Sequence, residues 1–72
     1  MNELSRIVLE EYCMSHNSAK SRRIQRLVEM SYDLDAVGTD DDAVFLERTI
    51  QREKDSELRA ALQDLDSFLF GW

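Results

Sequence analysis

The sequence has 72 residues, of which 43% are hydrophobic and 33% are charged, and its formal net charge is −6 at pH 7. This length predicts a single domain over residues 1–72. One Cys cannot form a disulfide within the chain, one Cys with one His cannot complete a four-ligand zinc site, and no apolar run approaches the roughly 18 residues of a membrane span. We therefore expect a cytoplasmic protein with no metal, no other cofactor and no membrane contact.

The first predicted element is a helix over residues 3–15. The chain contains no proline, and its apolar residues recur at spacings of three and four, which predicts an all-α fold. Asn2 precedes the first helix in a position suited to an N-cap. Residues 16–18 then form a predicted turn, in which Ser18 caps the next helix.

The second predicted helix covers residues 19–36. Its predicted apolar face consists of Ile24, Leu27, Val28, Ser31 and Leu34. Gly38 follows at a place where a glycine in the left-handed conformation commonly ends a helix. We therefore expect this helix to end just before Gly38.

The third predicted helix covers residues 40–70. Thr39 and Asp42 have the spacing of a capping box, with Asp in place of Glu. The helix carries two apolar patches that are separated by the polar residues 51–57. Either one long helix crosses this polar stretch or two helices meet near Asp55 and Ser56, and we favour the long helix. The predicted fold is thus a small helical bundle or helical hairpin of about three helices, the last one long.

The end of the sequence is strongly apolar. Its last residues are Phe68, Leu69, Phe70, Gly71 and Trp72. Burying one such large side chain is worth about 1.5–3 kcal/mol, so we expect these side chains to be covered by the chain's own core, a second copy or a different protein. A core this small, with neither disulfide nor metal, favours a homodimer or docking on a partner.

The second predicted helix also carries a basic cluster formed by Lys20, Arg22, Arg23 and Arg26. Three interpretations are open. The cluster is a solvated helix face, a surface for an acidic protein, or a surface for phosphates. Nucleic acid is the least favoured partner, because the net negative charge of the chain repels it.

Patterns that would indicate chemistry are weak. Cys13 and His16 are three residues apart on a helix, but two ligands without a third group predict neither a metal site nor a nucleophile. A partial calcium-binding loop consists of Asp33, Asp35, Gly38 and Asp41. Its last position is Val44 where a bidentate Glu is needed. No phosphate-binding glycine loop or paired-carboxylate motif is present, so we expect no catalysis.

These observations predict a small acidic helical regulator that docks on another intracellular protein as an inhibitor, anti-activator or adaptor. Small size and a net negative charge are common among small phage- or plasmid-encoded regulators. The predicted protein-binding residues are Arg22, Arg23, Arg26, Phe68, Leu69, Phe70 and Trp72. The apolar residues of this set would fill a groove on the partner, and the arginines would set the register. Two alternatives are a transcription-associated protein that binds nucleic acid through helix 18–36, and a structural subunit of a larger assembly.

Overall fold

The computed structural model describes residues 1–33 and 35–71. Over these residues the chain forms four helices and no strand, which confirms the all-α prediction. The helices are α1 (Glu3–Ser15), α2 (Ala19–Met30), α3 (Asp40–Arg52) and α4 (Ser56–Phe70). Each of them, within the described part of the chain, is too short or too polar to cross a lipid bilayer.

The predicted helix starts are confirmed. The side chain of Asn2 accepts a hydrogen bond from the backbone N–H of Leu4 at 2.8 Å. Ser18 forms a reciprocal capping box with the third residue of α2, and Thr39 forms one with Asp42 at the start of α3. Because these side chains satisfy N–H groups that have no partner inside the helix, they fix where each helix begins.

The predicted long helix over residues 40–70 is wrong, because α3 ends at Arg52 and α4 begins at Ser56. The backbone between them is extended, with ψ of 127° at Glu53 and 116° at Asp55. The structure thus has four helices instead of about three. The alternative of two helices that meet at this polar stretch is the correct one.

The side chain of Asp55 explains why the chain breaks at this point. Its carboxylate accepts hydrogen bonds from the backbone N–H groups of Glu57 at 2.9 Å and Leu58 at 3.1 Å. These bonds satisfy two of the unpaired N–H groups that open α4. The break also allows α4 to fold back and pack against α3, which a straight helix could not do.

Helix α2 ends at Met30 and not at the predicted Ala36. The hydroxyl of Ser31 donates a hydrogen bond to the carbonyl three residues earlier, and the carboxylate of Asp33 accepts one from the backbone N–H of Asp35 at 3.0 Å. Side chains that bond to nearby backbone compete with continuation of a helix. The apolar pattern of this segment did not show that competition.

The hydrophobic core draws on all four helices. Its buried side chains are Leu9 from α1, Ile24, Leu27 and Val28 from α2, Leu46 from α3, and Leu58, Ala61, Leu62 and Leu65 from α4. Leu34, which was predicted on the α2 face, lies outside the described residues. Helix α1 packs against α2 and α4, whereas the backbones of α2 and α3 approach each other less closely. Because this core closes within one chain, it does not by itself require a second copy.

Gly38 does not have the predicted left-handed conformation, since no glycine among the described residues has a positive φ. The ring of Phe70 instead occupies the space that a side chain at Gly38 would need. Phe70 is partly buried and packs against the core. Gly38 is therefore required for the close approach of this ring and not for a backbone turn.

We expect the substitution Asp55→Ala to lower the free energy of unfolding by about 1 kcal/mol, because two N–H groups at the start of α4 lose their acceptor. Urea denaturation followed by circular dichroism measures this change. The neighbouring exposed Lys54→Ala is the control and should stay within about 0.5 kcal/mol of the wild type. Equal losses in the two variants would show that the cap does not stabilise the break.

We expect Gly38→Ala to lower the free energy of unfolding by about 1–3 kcal/mol, because the new methyl group overlaps the Phe70 ring. The overlapping atoms are Cε1 and Cζ, which leucine lacks. In a Phe70→Leu background, Gly38→Ala should therefore be neutral or stabilising, as expected for a glycine without positive φ. A double-mutant cycle measures this coupling, and additive losses would contradict it.

Candidate functional site

The basic residues of α2 lie beside its buried face. The buried residues of this helix are Ser21, Ile24, Leu27 and Val28. Since a helix has 3.6 residues per turn, Lys20 and Arg23 share a flank of α2, and this flank borders α3. The guanidinium of Arg22 donates a hydrogen bond to the side-chain oxygen of Asn17 at 3.0 Å, and Arg22 also lines a cavity beside Thr39 and Asp42 at the start of α3. The three predicted arginines therefore line one cavity at the start of α3, and Arg23 also lines a second one.

Arg23 and Arg26 both bind the carboxylate of Asp42. The Oδ1 atom of Asp42 lies 2.7 Å from Arg26 and 3.3 Å from Arg23, and the Asp42 side chain is only 5% exposed. Its Oδ2 atom accepts a hydrogen bond from the backbone N–H of Thr39 at 3.3 Å. We name these four residues the Asp42 cluster. It attaches α2 to the first turn of α3.

The surroundings of Asp42 favour its charged form. Burial alone would raise the pKa of this carboxyl group, but the hydrogen bonds from Thr39 and Arg23 and the positive charge of Arg26 outweigh burial, so the pKa lies below its ordinary value. A lowered pKa in the folded state means that the cluster stabilises the fold above the pKa of the unfolded chain. This stabilisation is lost as the pH falls through the pKa of the folded state.

A basic groove lies between α2 and α3. Its volume is about 550 Å³. Its cationic side chains are Lys20 and Arg23 from α2 and Arg48 and Arg52 from α3. The remaining lining residues are Asp41, Val44, Phe45 and Thr49. Four cations and one carboxylate thus line one groove of a chain whose net charge is −6.

The four cations of the basic groove differ in how far they are already paired. Lys20 lies 3.8 Å from a carboxylate oxygen of Glu53, and Arg23 is bound to Asp42. Within residues 1–33 and 35–71, no carboxylate oxygen lies within 4.0 Å of the charged nitrogens of Arg48 or Arg52. Both of these side chains are exposed, so they are available to an anionic ligand.

Phe45 gives the basic groove an apolar surface and holds one of its cations. The guanidinium carbon of Arg23 lies 4.5 Å from the centre of the Phe45 ring, at the distance of a cation–π contact. The Nε atom of Arg23 is buried and has no hydrogen-bond acceptor among the described residues. The ring and Asp42 therefore keep this arginine in place, so that it belongs to the wall of the groove.

The predicted C-terminal anchor residues are only partly available to a partner. Phe68 is 52% exposed, whereas Leu69 and Phe70 pack against the core of the chain itself. Trp72 lies outside the described residues. Of the three aromatic or apolar anchors that the structure describes, Phe68 alone is exposed.

The weaker chemical patterns do not converge on one site. The Cys13 thiol donates to the carbonyl of Ser21 at 3.3 Å, while the His16 ring stacks on Tyr12 at 4.2 Å between centroids. Asp33 binds the backbone of its own loop. Over the described residues, no group of three His, Cys, Asp or Glu side chains is placed to hold a metal ion.

The sequence pattern did not predict Phe45, Arg48 and Arg52 as members of a site. The available signal was their spacing, since residues three and four apart share one face of a helix. Only the position of α3 beside Lys20 and Arg23 shows that they complete a groove.

Comparison with known proteins identifies no relative of this chain. No protein-family model, no curated protein and no solved structure matches it. The function is therefore argued from the charges and contacts of the chain itself.

We expect Asp42→Asn to lower the free energy of unfolding at pH 7 by about 1–2 kcal/mol, because Arg23 and Arg26 lose their carboxylate. The loss stays below the 3–5 kcal/mol of a fully buried pair, since the two arginine side chains are 38% and 59% exposed. The difference from the wild type should persist above about pH 5 and shrink below the unfolded-state pKa of about 3.9.

Denaturation with urea at a series of pH values measures this difference. Asp41→Asn is the matched control, because it removes the same formal charge from an exposed neighbouring position. The control should cost less than about 1 kcal/mol, which is the usual value of a helix-dipole interaction. A pH-independent loss in Asp42→Asn would contradict the assigned role of the carboxylate.

Proposed function

We propose that this chain is a cytoplasmic protein-binding regulator, acting as an inhibitor, anti-activator or adaptor, that docks on an acidic segment of another protein through the basic groove. The observation that carries the proposal is the concentration of Lys20, Arg23, Arg48 and Arg52 around Phe45 in an otherwise acidic molecule. Docking would act by occlusion, because the bound segment of the partner is removed from its other contacts.

Charge selects the partner only at short range. The screening length is about 8 Å at physiological salt, so a partner segment senses the four cations of the basic groove once it lies near them. Farther away, the net charge of −6 repels acidic molecules. This balance favours a short acidic segment over a long polyanion, which would also meet the acidic remainder of the surface.

The groove also favours a segment that carries apolar side chains among its acids. Arg48 and Arg52 present guanidinium groups that can form paired hydrogen bonds with carboxylates. Val44 is 43% exposed and Phe45 is half-buried, so an apolar residue of the partner can pack between the charged contacts. Arginine and aromatic residues contribute most of the energy at many protein interfaces.

This proposal changes the part assigned to the C-terminal residues. Because Leu69 and Phe70 pack against the core, the main contact with the partner is assigned to the basic groove and not to these residues. Phe68 is still exposed near the end of α4. Arg23 supports the groove wall, and Arg22 and Arg26 lie at its margin beside Asp42. Homodimerisation is not needed for this mode of docking.

The proposal is tested with the double variant Arg48→Glu/Arg52→Glu. Cell extract from the native host is passed over immobilised wild-type and variant protein, and the retained proteins are identified by mass spectrometry. We expect at least one protein with an acidic segment to be retained by the wild type and reduced at least about tenfold by the variant, since two charge-assisted contacts are reversed.

Lys54→Glu/Arg59→Glu is the matched control, because it makes the same charge change at two exposed residues outside the groove. It should retain the same partner as the wild type. Equal losses in both double variants would show that only net charge matters and would overturn the proposal. Nucleic acid in place of protein in the retained fraction would also overturn it, in favour of the transcription-associated alternative.

A further inference from the structure

A second groove lies on another face of α2, between α1 and α2. Its volume is about 310 Å³. Its floor consists of apolar side chains, including the buried Leu9 and Val28 and the half-buried Cys13. Exposed apolar side chains stand at its edges, with Met14 87% exposed and Tyr32 60% exposed. We name it the α1–α2 groove.

The charged residues that line the α1–α2 groove are both acidic. They are Glu10 on α1 and Glu29 on α2, and the groove contains no basic side chain. Glu10 pairs with Arg6 at 3.2 Å. Glu29 has no Lys, Arg or His nitrogen within 4.0 Å over the described residues, so its charge is available at the edge of an apolar surface.

We propose that the α1–α2 groove binds an amphipathic helix of a partner protein that carries Lys or Arg beside its apolar residues. A groove between two helices with an apolar floor is a surface on which an amphipathic helix docks its apolar face. The free carboxylate of Glu29 then pairs with a basic residue of the bound helix, and Met14, whose side chain is flexible, adapts to its apolar residues.

The charges of the groove argue against a second copy of this chain as the occupant. In a symmetric dimer the same patch faces itself, so Glu10 and Glu29 would oppose like charges across the interface. Helix α1 carries Glu3, Glu10 and Glu11, and its one basic residue, Arg6, is already paired with Glu3 and Glu10. A partner with basic residues removes this repulsion and gains ion pairs.

The α1–α2 groove is separate from the basic groove. The two grooves share no lining residue, and they have opposite charge. A basic amphipathic helix and an acidic segment can therefore bind the chain at the same time. This second site goes beyond the proposed docking of an acidic segment, and it does not depend on that docking.

The position of Cys13 provides a local probe of occupancy. It is the single Cys of the chain and lines the α1–α2 groove. Burial, with a smaller contribution from Glu10, raises the pKa of its thiol, so alkylation is best measured at mildly alkaline pH. A helix seated in the groove covers this thiol, whereas a peptide bound elsewhere leaves it accessible.

The test uses an amphipathic peptide of about 18 residues made of Leu and Lys, and a scrambled peptide of the same composition that lacks an apolar face. Fluorescence anisotropy measures binding, and the rate of iodoacetamide reaction measures access to Cys13. We expect the amphipathic peptide to bind at least about tenfold more tightly than the scrambled one and to slow alkylation at least about fivefold.

Glu29→Lys should weaken binding of the amphipathic peptide at least about tenfold, because it replaces the attracting charge with a repelling one. Glu57→Lys is the matched control on α4, outside the groove, and should change binding less than about twofold. Circular dichroism checks that both variants are folded.

Three outcomes would overturn the proposal. Peptide binding without protection of Cys13 would place the peptide elsewhere. Equal weakening by Glu29→Lys and Glu57→Lys would show attraction to net charge alone. Protection of Cys13 that rises with protein concentration in the absence of peptide, together with a dimer mass in light scattering, would identify a second copy as the occupant.

Discussion

The α2–α3 side of the molecule depends on the buried carboxylate of Asp42. Removing a carboxylate from water is costly, and here the cost is offset because both oxygens receive hydrogen bonds, from Arg23 and Arg26 on one side and from Thr39 on the other. The backbones of α2 and α3 approach each other less closely than those of α1 and α4 do. A polar cluster at the start of α3 thus connects two helices that leave the basic groove open between them.

The starts of the first three helices and the ends of α1 and α4 could be predicted from the sequence, whereas the end of α2 and the break between α3 and α4 were missed. Asn2, Ser18 and Thr39 are caps whose effect is local, because each bonds to backbone within three residues. The end of α2 depends on competition between helix continuation and side-chain bonds in the following loop. The break between α3 and α4 depends on the local cap at Asp55 and also on a gain that is not local, namely the burial of α4 against the rest of the core. The sequence shows the local caps directly. Its apolar periodicity gives only part of the information about which segments pack together after folding.

The candidate site likewise has a part that is visible in the sequence and a part that only folding brings together. The cationic character of α2 is visible in the sequence, but the basic groove needs Arg48 and Arg52 from a helix that lies beside it only after folding. The C-terminal residues illustrate the converse case. Their apolar character predicted that the chain's own core, a second copy or a different protein would cover them, and Phe70 packs against Gly38 and the core. Apolar composition predicts that a side chain will be covered, but it does not identify what covers it.

The two grooves give α2 a central position in the proposed functions. One flank of the helix supplies Lys20 and Arg23 to the basic groove, and another supplies Val28 and Glu29 to the α1–α2 groove. Its buried face meanwhile contributes three apolar side chains to the core, so α2 cannot rotate to favour one groove without a loss of packing. Both proposed binding surfaces are therefore held in a fixed relation by the same core. This arrangement supports an adaptor that binds two oppositely charged segments more directly than it supports an inhibitor with one contact.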